Sequence, residues 1–148
     1  MLGMITKDSF AEFTKAISNS KLTFLSVAKN GIINSQFSLL IDAVACLSER
    51  ISVNLSGNII GDGIEKLGRV LAKQDTQLFE ISLRANSIPD TSLTQFASDI
   101  VNCKGVLSSI DLSKNNISLL TGSALLRAVV DSNNGIRINL EENPHCVG

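Results

Sequence analysis

The chain has 148 residues, of which 44% are hydrophobic; this content supports one folded domain and excludes an intrinsically disordered chain. Its 13 Lys and Arg residues nearly balance its 14 Asp and Glu residues, so no strong field draws it to nucleic acid or to an acidic membrane surface. No apolar run reaches the length of about 18 residues that indicates a membrane span.

The first twenty residues predict a helix rather than a targeting segment. Lys7 and Asp8 interrupt the N-terminus before an apolar stretch of signal-peptide length has formed. Between residues 5 and 19, apolar side chains recur three and four positions apart. That spacing is typical of an amphipathic helix.

Five segments of the remaining chain share one pattern, apolar-x-apolar-x-x-Asn. The segments are 22–32, 50–60, 78–88, 107–117 and 135–145. Their asparagines, spaced by 28, 28, 29 and 28 residues, are Asn30, Asn58, Asn86, Asn115 and Asn143. The alternation of the two apolar residues predicts a short strand with one buried face.

The sequence between these segments predicts helices. Apolar residues again recur at three and four positions, and Asp62 with Glu65 resembles a capping box. Because each helix returns the chain to the same edge, the strands are predicted to be parallel. The helix at residues 5–19 has the register of the later helices, so it is interpreted as the back half of a repeat that lacks its strand.

The repeat resembles the leucine-rich repeat, LxxLxLxxN, and its period is similar to that of the ribonuclease-inhibitor-like subclass. The resemblance covers essentially the whole chain. It implies one α/β solenoid domain over residues 1–148, curved, with five parallel strands on the inner, concave face and helices outside. The implied units are the half repeat 5–19 and repeats at about 22–49, 50–77, 78–106, 107–134 and 135–148.

The column of asparagines is interpreted as structural. An amide side chain can satisfy backbone groups where a strand turns away, and buried backbone groups must be paired. A ligand-binding column is the weaker interpretation.

The candidate binding surface consists of the positions beside the buried strand residues, which form columns across the concave sheet. The residues expected to contact a protein partner are Phe24, Asn54, Phe79, Glu80, Arg84, Asp111, Lys114, Arg137, Asn139 and Glu141. Arg84 and Arg137 are the expected anchors, because Arg is enriched at interface hot spots. Ile51 and Ile136 are further apolar residues near exposed positions. The alternative is that the charges form ordinary cross-strand pairs and that the apolar residues pack against the loop rim.

Neither catalysis nor metal binding is predicted. The one histidine, His145, is close to the C-terminus, and His145 with Cys146 gives only two adjacent metal-ligating side chains with no visible completion of a site. Cys46, Cys103 and Cys146 are too few and too widely spaced for a disulfide framework, so we expect three free thiols in a reducing, cytoplasmic compartment. No cofactor is expected.

Two classes of function remain open. The first is a protein-binding module; the Ser- and Asn-rich repeats resemble those of effectors that intracellular bacterial pathogens inject into host cells, which implies delivery into a host cytosol. The second is a regulator of GTPase activity, because the period resembles that of Ran-type GTPase-activating proteins. The strand at 135–143 has no following helix, so self-association through that edge, or membership of a longer repeat array, is a further expectation.

Overall fold

A computed structural model describes the backbone of residues 7–143 and the side chains from Ser9 onward. Strands and helices alternate along the chain, as the repeat predicts. The elements are α1 (Lys7–Ser18), β1 (Phe24–Ser26), α2 (Asn34–Ala45), β2 (Ile51–Asn54), α3 (Ile64–Lys73), β3 (Leu78–Ser82), α4 (Leu93–Ile100), β4 (Ser109–Asp111), α5 (Leu119–Ser132) and β5 (Arg137–Asn139). Short 3-10 turns at Gly61–Gly63 and Asp90–Ser92 lead into α3 and α4.

The five strands form one sheet whose spatial order follows the sequence order from β1 to β5. Every neighbouring pair is parallel. The register places the first apolar residue of each repeat in a single column, formed by Leu25, Val53, Ile81, Ile110 and Ile138. The predicted α/β architecture with five parallel strands is confirmed.

The helices cover one face of this sheet. Each of α1 to α4 contacts the next helix along the chain, so the five helices form one layer. Strand side chains on that side are buried, as Val53 and Leu55 are, whereas the intervening Ser52 and Asn54 remain partly exposed. We call the side of the sheet away from the helices the open face.

The start of α3 differs from the prediction. The turn Gly61–Gly63 precedes the helix, and the N-cap residue makes no side-chain capping bond. Asp62 instead accepts a 2.7 Å hydrogen bond from Nδ2 of Asn34 in the preceding repeat. The predicted capping box of Asp62 and Glu65 is therefore wrong, and the acidic side chain links two repeats.

One equivalent backbone position adopts a left-handed conformation in every repeat, besides further residues with positive φ in single repeats. It is the residue directly before the repeat asparagine, and it has φ between 57° and 73° in all five repeats. The five residues are Lys29, Gly57, Ala85, Lys114 and Glu142. Only one of them is glycine, so four repeats carry a Cβ in a conformation that costs an L-residue about 1–2 kcal/mol.

We expect Ile81→Ala and Leu112→Ala to lower the free energy of unfolding by about 2–5 kcal/mol each, since both side chains are at most 2% exposed. Urea titration followed by circular dichroism measures the change. Leu120→Ala is the matched control, because Leu120 is 83% exposed on α5 and its loss should change stability by less than about 0.5 kcal/mol. Equal effects of all three substitutions would contradict the core placement.

We expect Ala85→Gly to raise the free energy of unfolding by about 0.5–1 kcal/mol, because relief of the left-handed strain outweighs the added freedom of the unfolded chain. The opposite substitution, Gly57→Ala, should destabilise, since a Cβ there would lie 2.9 Å from Cγ of Lys29. The same urea titration measures both. A loss of stability in Ala85→Gly would show that the positive φ carries no strain.

Candidate functional site

The repeat asparagines tie each repeat to the one before it. Oδ1 of Asn115 accepts hydrogen bonds from the backbone N–H groups of Asn86 (2.9 Å) and Ile88 (3.0 Å). Its Nδ2 donates to the carbonyl oxygens of Leu83 (3.1 Å) and Leu112 (3.0 Å). A single buried amide thus satisfies backbone groups of two repeats at the turn after the strand, where the ladder of the sheet ends.

The same arrangement recurs along the chain. Asn58 accepts from the N–H groups of Asn30 and Ile32, and Asn143 accepts from those of Asn115 and Ile117. Asn58, Asn86, Asn115 and Asn143 are all buried, whereas Asn30 in the first strand repeat is only partly so. These contacts support the structural interpretation of the asparagine column.

The first row of side chains on the open face crosses all five strands. Its members are aligned by the strand register: Phe24, Ser52, Glu80, Ser109 and Arg137. We call this set the Phe24–Arg137 row. Three large side chains alternate with two serines, so each large side chain stands apart from the next.

The three large side chains of the row differ in chemistry and are all exposed. Phe24 is 61% exposed at the first strand. Glu80 is oriented by Ser52, whose hydroxyl donates a 3.1 Å hydrogen bond to Oε1. Arg137 is exposed on the last strand, and among residues 9–143 its guanidinium has no ion-pair partner within 4.0 Å. These groups are therefore available to a partner.

The second row on the open face has a structural task that the sequence analysis missed. In Asn54, Asp111 and Asn139, side-chain Oδ1 accepts a hydrogen bond from the backbone N–H two residues later, at 2.9–3.0 Å. An Asx contact of this type shapes the chain as it leaves the strand. These three predicted contact residues thus hold the turns in place.

Arg84 lies in an internal network. Its Nη1 donates to Oγ of Ser113 at 2.8 Å and forms an ion pair with Oε1 of Glu142 at 2.9 Å. Ser113 in turn donates to Oδ1 of Asp111 at 2.6 Å. The predicted anchor Arg84 is therefore already engaged across three repeats, in contrast to Arg137.

The charges around Arg84 also shift two pKa values. The hydrogen bond with Glu142 raises the pKa of Arg84, and the charges of Glu142, Asp111 and Glu141 add to the effect. In return, the hydrogen bond from Arg84 lowers the pKa of Glu142, with a smaller contribution from the charge of Lys114. Lys114 and Glu141, both predicted contact residues, are exposed beside this network.

The remaining apolar candidates are less accessible than Phe24. Phe79 is partly buried, and the guanidinium of Arg50 lies over its ring at 4.8 Å from the centroid. Ile51 is 1% exposed and Ile136 is 6% exposed, so both belong to the core. The sequence analysis placed Ile51 and Ile136 near exposed positions, and this is corrected. Each residue lies where its strand begins, and its side chain packs into the core.

A shallow depression of about 270 Å³ lies on the open face over β1 to β4. Its lining includes Phe24, Glu80 and Asp111. Among the described residues, no Lys or Arg lines it, whereas two acidic side chains do.

Other kinds of site are not supported by the part of the chain that the structure describes. Within residues 9–143, no group of three or more His, Cys, Asp or Glu residues could hold a metal ion, and no described helix is long and apolar enough to cross a membrane. Cys46 and Cys103 are free thiols, and burial raises the pKa of Cys103. His145 and Cys146 lie outside the described residues.

We expect the carboxyl pKa of Glu142 to lie below its ordinary value and to return towards it in Arg84→Gln. Because the folded-state pKa is depressed, the ion pair stabilises the fold above the pKa of an unfolded Glu, and this contribution is lost as pH falls through the folded pKa. Carbon-detected NMR titration of the side-chain carboxyl measures it. Arg127→Gln on α5 is the control and should leave the titration unchanged; an unchanged titration in Arg84→Gln would contradict the ion pair.

The chain was compared with protein-family models and with curated proteins. No family model matches it, and no curated protein matches it either. The resemblance to the leucine-rich repeat therefore rests on the residues themselves, namely the spacing of the five asparagines and the contacts between repeats that Asn58, Asn86, Asn115 and Asn143 make.

Proposed function

We propose that the chain is a leucine-rich-repeat module that binds a protein partner through the open face of its sheet and the loops beside it. The observation that carries this proposal is the Phe24–Arg137 row, in which an aromatic, an acidic and a basic side chain project from a sheet face that no described element covers. Exposed determinants on a rigid scaffold are typical of binding surfaces.

The size of the open face limits how it binds. Five strands at about 4.8 Å spacing span about 24 Å, and three to five residues per strand span about 10–16 Å. The resulting area, at most about 400 Å², is half of what one partner contributes to a standard stable interface. The partner is therefore either a short segment or a protein that also contacts the rim loops.

The network around Arg84 supports a role for those loops. Ser113 and Glu142 lie two and three residues after the ends of β4 and β5, and their contacts with Arg84 fix the rim next to the open face. Lys114 and Glu141 are exposed on the same rim and add charged groups of both signs. Two more specific roles stay predictions: that the chain is a bacterial effector that binds a host protein, and that it regulates a Ran-type GTPase.

The test is to identify a partner by affinity capture and then to measure its binding to purified variants by titration calorimetry. We expect Glu80→Ala and Arg137→Ala to weaken binding by about 1 kcal/mol or more each. Glu12→Ala on α1 and Arg127→Ala on α5 are matched controls, since both residues are exposed on helices. Full affinity in Glu80→Ala and Arg137→Ala would remove the open face from the mechanism and point to the helices or to the β5 edge.

A further inference from the structure

The spacing within the Phe24–Arg137 row defines the shape of the ligand. Phe24 is on β1, Glu80 on β3 and Arg137 on β5, so consecutive large side chains are two strands apart. Two strand spacings amount to about 9.6 Å. Ser52 and Ser109 occupy the strands between and leave gaps beside each large side chain.

The chemistry of the row fixes the order of groups in the ligand. At one end, Phe24 is an exposed apolar side chain, and Leu22, two residues before it in the chain, is exposed as well. In the middle, Glu80 and Asp111 give the depression its negative charge. At the other end stands the exposed Arg137. Complementary groups on a ligand therefore run apolar, basic, acidic, at intervals of about 9.6 Å.

Among regular peptide conformations, the polyproline II helix matches that interval best. A polyproline II helix has three residues per turn and places every third side chain on one side, about 9.3 Å apart. In an extended β-strand the third residue points to the opposite side. In an α-helix the nearest match is seven residues, about 10.5 Å, which misses the far end of the row by about 2 Å.

We propose that the open face binds a peptide segment in polyproline II conformation that carries an apolar, a basic and an acidic side chain at every third position. The segment lies across the strands, with the apolar group on Phe24, the basic group on Glu80 and the acidic group on Arg137. This inference rests on the proposed protein-binding function and names the chemistry of the partner. The limited area of the open face, which suits a short segment, supports it.

The probe is a synthetic peptide, acetyl-Leu-Pro-Pro-Arg-Pro-Pro-Glu-amide, together with its reversed sequence, because the row does not fix the direction of the ligand chain. The control peptide, acetyl-Arg-Pro-Pro-Leu-Pro-Pro-Glu-amide, has the same composition with the apolar residue in the middle. Binding is followed by two-dimensional NMR of the full chain labelled with nitrogen-15. A saturable shift of the Phe24, Glu80 and Arg137 amides is expected with at least one matched peptide.

Variants and controls make the result specific. We expect the control peptide to bind about five-fold more weakly than the matched one, and Glu80→Gln and Arg137→Gln each to weaken the matched peptide by a similar factor. Glu12→Gln and Arg127→Gln should leave its affinity unchanged. An unperturbed NMR spectrum outside the open face shows that each variant is folded, which is expected because all four residues are exposed.

Four results would overturn the inference: no saturable shift, equal binding of matched and control peptides, tighter binding of a helical peptide with the same groups seven residues apart, or the same amide shifts on raising the protein concentration alone. The last would assign the face to a second copy of the chain. If the peptide fails but Glu80→Ala and Arg137→Ala still weaken the captured partner, the inference falls and the proposed function stands. If both fail, the proposed function falls as well.

Discussion

The buried asparagine amides determine how the repeats fit together. Where each strand ends, the chain turns while it is still buried, and its N–H and C=O groups need partners. One carboxamide supplies both a donor and an acceptor at that point, and it serves its own repeat and the preceding one, as Asn115 does. Neighbouring turns are thus held together, and the strands that lead into them are held in register.

This register explains why side chains far apart in sequence form rows on the open face. The rows contain two kinds of polar residue. Asn54, Asp111 and Asn139 are bound to the backbone of their own turns, and Arg84 is bound to neighbouring repeats, so all four contribute to the scaffold. Within residues 9–143, the one side-chain hydrogen bond made by the Phe24–Arg137 row is the Ser52–Glu80 contact. Residues that stabilise the turns and residues of the candidate contact surface therefore lie next to each other on the same strands.

The sequence predicts those features of the fold that follow from the 28- to 29-residue period of the asparagines and from the alternation of apolar residues in each strand. The asparagine spacing indicated the parallel strand order, and the apolar pairs indicated which strand side is buried. Features that depend on side-chain conformation could not be predicted: nothing in the sequence shows that Arg84 reaches Glu142, two repeats away. The positive φ before each repeat asparagine could not be predicted either. Gly57 is compatible with such a conformation, but Ala85 at the equivalent position gives no indication of it. Ile136 was misplaced because burial at a strand start depends on the packing of the adjoining loop.

The asparagine contacts run in one direction along the chain. Asn143 receives N–H groups of the repeat before it, and Asn115 does the same one repeat earlier. During synthesis on the ribosome, the N–H groups of a turn therefore lack their carboxamide acceptor until the next asparagine emerges, 28 or 29 residues later. A cut near the C-terminus removes the amide that completes the preceding turn, whereas a cut near the N-terminus leaves the later amide contacts intact.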